Sequence, residues 1–421
     1  MKESSTRSGS DLFDVLIVGA GPGGLVAALA LHRHGIRCRV IERVERSRLC
    51  ADVGGGYHIG DTTLAMLDHL GLGECCRRRG VRFHAFEAFG HRGRRRMRMP
   101  IPEHHDIVTL RRSALQAILL AAVESVESPQ PLLSCGDGVK GFEQDATGVE
   151  VRLASGQRLR ARLLIAADGV HSPVRRALFD SGPPRFCGVT AGWGRVGGEA
   201  AEAIPGAAVG TAYTQLGPGA SVAAARVDGE LVWSVFWRTP TFERSPDPER
   251  RKRRMLERFG DWASPTHQAI AATPPERIDE TGIWDRDPAS SWFRGRVVLI
   301  GDAAHPMTPY LGQGANSAML DAFVLAHHLA RSPYTRAFEA LELRRKGFTD
   351  RNVLTARRVC ASSTSERAWE RALMAATMRL VPPSWTLRFM LRGDRLNDVS
   401  DLLAAPAVGT PPGWTQRGAD L

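Results

Sequence analysis

Three stretches of this chain hold residues whose types and spacing can do chemistry. The first is Gly19-Ala20-Gly21-Pro22-Gly23-Gly24, a GxGxxG that directly follows the apolar run at 14–18 (DVLIV). Such a short, β-branched run reads as a buried parallel strand. Leu25 to His34 carries alanine and leucine at helical spacing and is closed by Gly35 as a C-cap. In such a unit Gly19 permits the tight turn, Gly21 lets backbone approach a pyrophosphate, and Gly24 lets helix pack close to strand. The helix N-terminus offers unpaired N–H groups and partial positive charge to phosphates. Glu42 closes a second strand, Arg37 to Ile41, eighteen residues past Gly24, where a carboxylate can accept from ribose hydroxyls. It would repel a ribose 2′-phosphate, so the motif predicts NAD or FAD without choosing between them. Arg43, its neighbour, is assigned to the same cofactor site.

The second stretch, Leu163 to Arg175 (LLIAADGVHSPVR), reads as a strand, a DGxxSxxR turn and a helix. The third, Val297 to Pro306 (VVLIGDAAHP), is a strand that stops at Gly301-Asp302 and continues through Pro309 to Asn316 into a helix from Ser317 to Ala330. With GxGxxG at 19–24, DG at 168–169 and GD at 301–302 in that order, the sequence resembles the group A flavin-dependent aromatic hydroxylases, the para-hydroxybenzoate hydroxylase-like family. The resemblance covers about residues 12–345.

That resemblance implies an α/β fold: a Rossmann-like FAD-binding domain with an inserted antiparallel β-sheet substrate domain and C-terminal helices. It implies FAD as cofactor, NADPH or NADH as co-substrate, and O2 delivered to an electron-rich ring through a flavin C4a-hydroperoxide. Gly301 would let Asp302 reach ribityl hydroxyls. Gly312, Gln313, Gly314, Ala315 and Asn316 would open a helix whose positive end faces the flavin N1/C2 region and steadies negative charge there. Pro309 would lie beside the flavin. Asp168 would serve cofactor geometry, and Arg175 could attract NAD(P)H phosphates. Arg112 would contact FAD's phosphate or ribose, with Arg111 as fallback; Ala114 stands where family members carry an acid. The loop 50–60 (CADVGGGYHIG) would lie beside the isoalloxazine, but Asp61-Thr62 replaces the family's Pro-Asn. His58 is the first candidate for a substrate-facing base, the alternative being a loop histidine on solvent, and His305 is expected mainly to pack. No second GxGxxG occurs, which separates the chain from reductases with two dinucleotide domains.

The elements that must position these residues follow from the rhythm of the chain. Residues 12–80, 104–180 and 276–345 alternate strand and helix and form the expected FAD-binding domain. Residues 81–103 and 181–275 show short alternating stretches between turns, such as 221–227 (SVAAARV) and 231–237 (LVWSVFW), which predict the inserted sheet. Period two puts Trp233 and Trp237 on one face and Phe236 on the other. Trp193, Tyr213, Trp233, Phe236 and Trp237 divide between core and pocket, with Tyr213 and Trp233 named for the substrate pocket. Residues 346–421 read as helices broken at Pro382-Pro383, including an amphipathic stretch near Trp385 to Leu391 that either packs on the flavin domain or touches a membrane surface.

Composition bounds the rest. The chain has 421 residues with 43% hydrophobic and 24% charged content, ordinary for a globular protein, and no apolar run long enough to span a bilayer. Its first ten residues lack the apolar core of a signal peptide. Net charge is +11, with arginine clusters at 91–98 and 250–254 read as solvated faces or attraction for anionic cofactors, not as a nucleic-acid site. The seven cysteines show no CxxC pair and no zinc spacing, so neither metal nor disulfide is expected. The expectation is a cytoplasmic monomer or homodimer that takes a small-molecule substrate and does not insert stably into membrane. Its rivals are a same-fold epoxidase or Baeyer–Villiger oxygenase, and a non-catalytic flavin-binding protein.

Overall fold

The computed structural model describes residues 12–51, 54–382, 384–385, 387 and 398–405. Residues 1–11, residues 406–421 and most of the stretch near Trp385 to Leu391 lie outside the described residues.

A parallel sheet is built around the strand Leu12–Val18. Arg158–Ala166 pairs with it on one side and Cys38–Ile41 on the other, and Val297–Leu299 extends the sheet past Arg158–Ala166. The register sets Val18 beside Ala166 and Ala166 beside Leu299. The glycine loop, the DG turn and the GD turn therefore leave from the carboxyl ends of three adjacent strands, where open α/β sheets place their ligands. Helices cover the sheet, so its strands are apolar on both faces: Val15, Leu16 and Ile17 are each at most 1% exposed. Burying each such side chain stabilises the fold by roughly 1.5–3 kcal/mol. The helix Pro22–Arg33 packs against Gly314–Leu329 and Arg112–Glu124, which brings the third motif's helix against the first.

The second sheet has seven strands, in the order Asp279–Asp285, Arg185–Val196, Glu230–Arg238, Ala220–Val227, Thr211–Gly217, Ala85–Gly90 and Arg95–Pro100. It is antiparallel except where Ala85–Gly90 joins Thr211–Gly217 in parallel, since that hairpin comes from a separate insertion. Strand Asp279–Asp285 pairs with Arg185–Val196, so the boundary expected at 275/276 falls instead after Asp285. The hydrogen-bonding row of the sheet, not the local sequence, captures this strand. Helices Pro248–Phe259 and Thr266–Ala272 close the outer face over a core of Trp233, Trp237, Met255, Phe259 and Trp262. A small sheet of Gly56–Ile59, Val108–Arg111 and Val81–Arg82 joins the two layers.

The helix Tyr334–Ser363 is thirty residues long and crosses the boundary expected at 345/346. Ala368–Leu380 and Ser400–Ala404 follow it. Among the described residues no helix is long and apolar enough to cross a membrane.

Candidate active site

The glycine loop is held by sterics that only glycine satisfies at two positions. Gly19 has φ +102°, and a Cβ there would lie 2.4 Å from the Ala167 carbonyl oxygen; one on Gly24 would lie 1.9 Å from the Gly19 oxygen. At Gly21 a Cβ would meet nothing within 4 Å, so this residue borders the cleft. Glu42 fixes the loop from the second strand: Oε2 accepts from Ala20 N at 2.7 Å and Oε1 from Val44 N at 2.9 Å. Arg43 is exposed nearby, and its charge reaches Asp168.

Asp168 accepts from Val174 N through Oδ2 at 3.3 Å, while its Oδ1 is buried without a partner. Burial pushes its pKa up to about 6, against hydrogen bonds from Ser172 and Val174. Arg175 corrects an expectation. It is 5% exposed, and its Nη1 donates to the carbonyls of Ala303 at 2.9 Å and Ala304 at 2.7 Å. It fastens the DG helix to the GD turn and does not offer its charge to a dinucleotide in solution.

Asp302 lies between the layers with its side chain exposed to the cleft. Burial raises its pKa, and the nearby His305 and Arg112 oppose the shift. Arg112 lines the same cleft, stacked over the Tyr57 ring at 5.1 Å and against Gly54. The fallback, Arg111, pairs with Asp228 at 2.7 Å and Glu230 at 3.1 Å instead. Pro309 begins a single 3-10 turn that Gly312 ends in the left-handed region, φ +64°. Gln313, Gly314 and Ala315 follow on the cleft wall at the start of the helix Gly314–Leu329. Its first-turn N–H groups have no acceptor within the helix and make a positive end there. Asn316 is 3% exposed; its Nδ2 donates to the carbonyls of His58 at 2.8 Å and Gly312 at 3.1 Å. It ties the 54–60 loop to this turn.

Behind the GD turn lies a buried ion network that sequence reasoning missed. Asp321 accepts through Oδ2 from His305 Nε2 at 2.5 Å and Gly301 N at 3.0 Å, and through Oδ1 from Arg345 Nε at 2.8 Å. Burial by itself would raise the Asp321 pKa, but His305 and Arg345 hold it at about 2. An aspartate inside an apolar helix, seven residues after an N-terminal glycine, was the available signal.

All three fingerprints open on one cavity of about 1220 Å³ between the layers. That exceeds the roughly 300–1,000 Å³ of a single drug-sized ligand. One end is polar, built by the glycine loop, Arg112, Asp302 and the 312–315 turn; the other is the inner face of the seven-stranded sheet. The residues fit a flavin dinucleotide: two helix N-termini face the cleft, Gly21 leaves room for close approach, and Asp168 Oδ1 and Gln313 Oε1 are buried acceptors without donors.

His58 stands on the cavity wall, on the strand Gly56–Ile59. Its Nδ1 lies 2.9 Å from Thr109 Oγ1, its ring 5.0 Å from that of Phe83, and burial lowers its pKa to about 4. Of the two aromatic residues named for the pocket, Trp233 is corrected, and Tyr213 borders the cavity while its ring packs away from it. Trp233 is 1% exposed and donates through Nε1 to Thr273 Oγ1 at 2.9 Å. Tyr213 stacks on Phe89 at 4.6 Å and bonds the Ser264 carbonyl at 3.2 Å. The register runs Tyr213, Ala224, Trp233 across three strands, so both rings share the outer face under the helices. Phe236, on the other face, lines the cavity with Ser221, whose hydroxyl lies 3.2 Å from that of Tyr310. Period two separated these faces correctly but could not say which one faced the cleft, because both are buried.

Residues 13–341 match the family model described as FAD binding domain. The chain belongs to the FAD-dependent aromatic monooxygenase family. Aurachin C monooxygenase/isomerase of Stigmatella aurantiaca is 33% identical over 322 residues, covering 75% of this chain and 80% of the relative. The 3-amino-4-hydroxybenzoate 2-monooxygenase of Streptomyces platensis is 32% identical over 362 residues, with 79% and 84% covered. Among solved structures, Klebsiella pneumoniae HpxO, complexed with FAD and uric acid, superposes with TM-score 0.81 at 26% identity, covering 94% of this chain and 98% of that one. This monooxygenase is thus an enzyme that binds FAD and uses NAD(P)H and O2.

Proposed function

We propose that this monooxygenase hydroxylates a neutral, largely apolar aromatic molecule held against the inner face of the seven-stranded sheet, with His58 as the proton acceptor. The apolar lining supports the reading: Phe83, Phe86, Met99, Ile101, Ile107 and Phe236 surround that end of the cavity. Arg351 is exposed toward its rim, and no described cation faces the apolar wall itself. A substrate carboxylate would be buried there without a partner, which is costly.

When bound, FAD supplies the redox chemistry, taking a hydride from NAD(P)H and giving one atom of O2 to the substrate. The chain supplies position and protons. Thr109 Oγ1, accepting from Nδ1–H, leaves the Nε2 lone pair of His58 for a ring hydroxyl or N–H of the substrate. A pKa near 4 keeps that nitrogen unprotonated at neutral pH. A hydrogen bond accepted by that nitrogen draws the substrate proton toward His58, pushes electron density into the ring and makes it a better acceptor of electrophilic oxygen. The apolar wall offers water few hydrogen-bond partners on the reacting side.

The test is a screen of neutral hydroxylated and nitrogen-heterocyclic aromatics against benzoates. Stimulated NAD(P)H oxidation coupled to O2 uptake, with a product heavier by one oxygen atom, is expected for the neutral set. Stimulation by benzoates alone would sink the proposal. The product's structure separates hydroxylation from epoxidation, the activity for which the similar zeaxanthin epoxidase of Solanum lycopersicum is named.

A further inference from the structure

Helix Ala368–Leu380 has no buried residue, although it is rich in apolar side chains. Arg371, Met374, Ala375 and Met378 are half-buried and face the molecule, whereas Trp369, Leu373, Ala376 and Leu380 face outward. Trp369 is 63% exposed, Leu373 61% and Leu380 78%. Their spacing of four, three and four residues makes one stripe along the helix. The helix thus turns an apolar side to solvent, the reverse of a surface helix closing a core. Trp385, 67% exposed, adds a second indole just beyond its end.

The surroundings are basic. The helix lies against Arg95–Pro100, the edge strand of the seven-stranded sheet. Arg92, Arg94, Arg95, Arg96 and Arg98 are exposed on that strand and the turn before it. Glu87 pairs with Arg95 and Arg98, and Glu370 with Arg367. Among the described residues no carboxylate pairs with Arg92, Arg94, Arg96 or Arg379. Edge charges protect a sheet from unwanted pairing, which accounts for the arginines but not for a neighbouring helix turned apolar side out. Two indoles, a leucine stripe and unpaired arginines together match the interface of an anionic bilayer, where indoles and aliphatic side chains enter the headgroup boundary and arginines meet lipid phosphates. A second copy of this chain would set the same arginine strip against itself, and like charges oppose that pairing.

We propose that this corner, formed by Trp369, Leu373 and Leu380 with the arginines of residues 92–98, docks the enzyme on an anionic membrane surface without crossing it. Met378 on the inner side of the helix and Met99 on the edge strand both line the large cavity. Docking therefore brings one wall of the substrate cavity close to a reservoir of apolar molecules. The docking surface does not depend on the substrate proposed above, and its test needs no turnover.

The full-length, flavin-loaded protein is sedimented with vesicles of phosphatidylcholine mixed with phosphatidylglycerol, and with vesicles of phosphatidylcholine alone. The expected result is co-sedimentation with the mixed vesicles, weaker binding to the neutral ones, and release as salt is raised. Leu373→Gln with Leu380→Gln should weaken binding by at least about tenfold. Arg92→Ser, Arg94→Ser and Arg96→Ser together should weaken binding to the mixed vesicles by at least about tenfold. All five positions are exposed, so flavin absorbance and Tm should be unchanged in both variants. Absence of binding to either vesicle, binding indifferent to the anionic lipid, or binding unaltered by the variants overturns the proposal. So does self-association in sedimentation velocity that the leucine variant abolishes, since a second copy would then own the face.

Discussion

His58 is neutral for a structural reason: it is packed against Phe83 and Thr109 on the cavity wall, so burial penalises its charged form and lowers its pKa to about 4. Because the folded pKa lies below the ordinary 6.5, the folded state binds this proton less tightly than the unfolded chain. The histidine's contribution to stability is complete above pH 6.5 and is lost as pH falls toward about 4. His58→Gln is expected to remove that part of the acid-side loss, measured as Tm against pH. The same substitution should lower substrate-dependent kcat by about 10²–10⁴ if His58 is the base, with the flavin spectrum retained. A kcat within twofold of the parent would leave His58 a wall residue only. The sequence pointed to this histidine by its place in a glycine-rich loop, but its neutrality depends on Phe83 and Thr109, which arrive from other segments.

At the scale of elements, the site is a set of joints. Gly24 is where helix meets strand, and Gly24→Ala would drive a methyl group against the Gly19 carbonyl. That overpacking is expected to cost about 1–3 kcal/mol and to lower flavin content, read from visible absorbance and thermal unfolding. Asp321 is the second joint, holding the GD turn through Gly301 N and the long helix through Arg345. Asp321→Ala leaves His305 and Arg345 buried without their carboxylate, a loss of about 3–5 kcal/mol in denaturant unfolding. The Asp321 pKa is held below its ordinary 3.8, at about 2. Its contribution is therefore present above pH 4 and disappears as pH falls from about 4 to about 2, a decline that Asp321→Asn should flatten. Arg175 is the third joint, and it shows why one sequence role failed. A DGxxSxxR turn specifies an arginine but not its direction, and the carbonyls of Ala303 and Ala304 that draw it inward come from over a hundred residues away.

For the whole molecule, the relation of the two sheets matters most, because the cavity exists only between them. Helix Tyr334–Ser363 fixes that relation at two points along its length. Arg345 anchors it beneath the GD turn, and Arg357 Nε reaches Asp285 of the seven-stranded sheet at 2.7 Å. Asp285 is fully buried and also accepts from Arg185 at 2.8 and 2.9 Å. Asp285→Asn is expected to destabilise the protein by about 1.5–3 kcal/mol. It should also loosen the cavity, so that a larger share of NAD(P)H oxidation ends in H2O2 instead of product. Peroxide yield per NAD(P)H oxidised measures this, and an unchanged yield would show that the ion pairs serve stability alone.

The sequence by itself determined the dinucleotide chemistry. A strand, a glycine loop and a helix are local: Gly24 is required by a contact within the turn, and Gly19 by a left-handed φ of +102°, while its close approach to the Ala167 carbonyl comes from the neighbouring strand. It also ordered the three motifs, and with them the family. The tertiary structure decided what depends on direction. The rings of Trp233 and Tyr213 went to the outer core and that of Phe236 to the cavity, because helices 248–259 and 266–272 bury the side of the sheet that alternation could not label. It moved Asp279–Asp285 into the substrate sheet through backbone pairing, turned Arg175 inward, and assembled Asp321, His305 and Arg345 into one buried network. Periodicity says which side chains share a face; only packing says what that face meets.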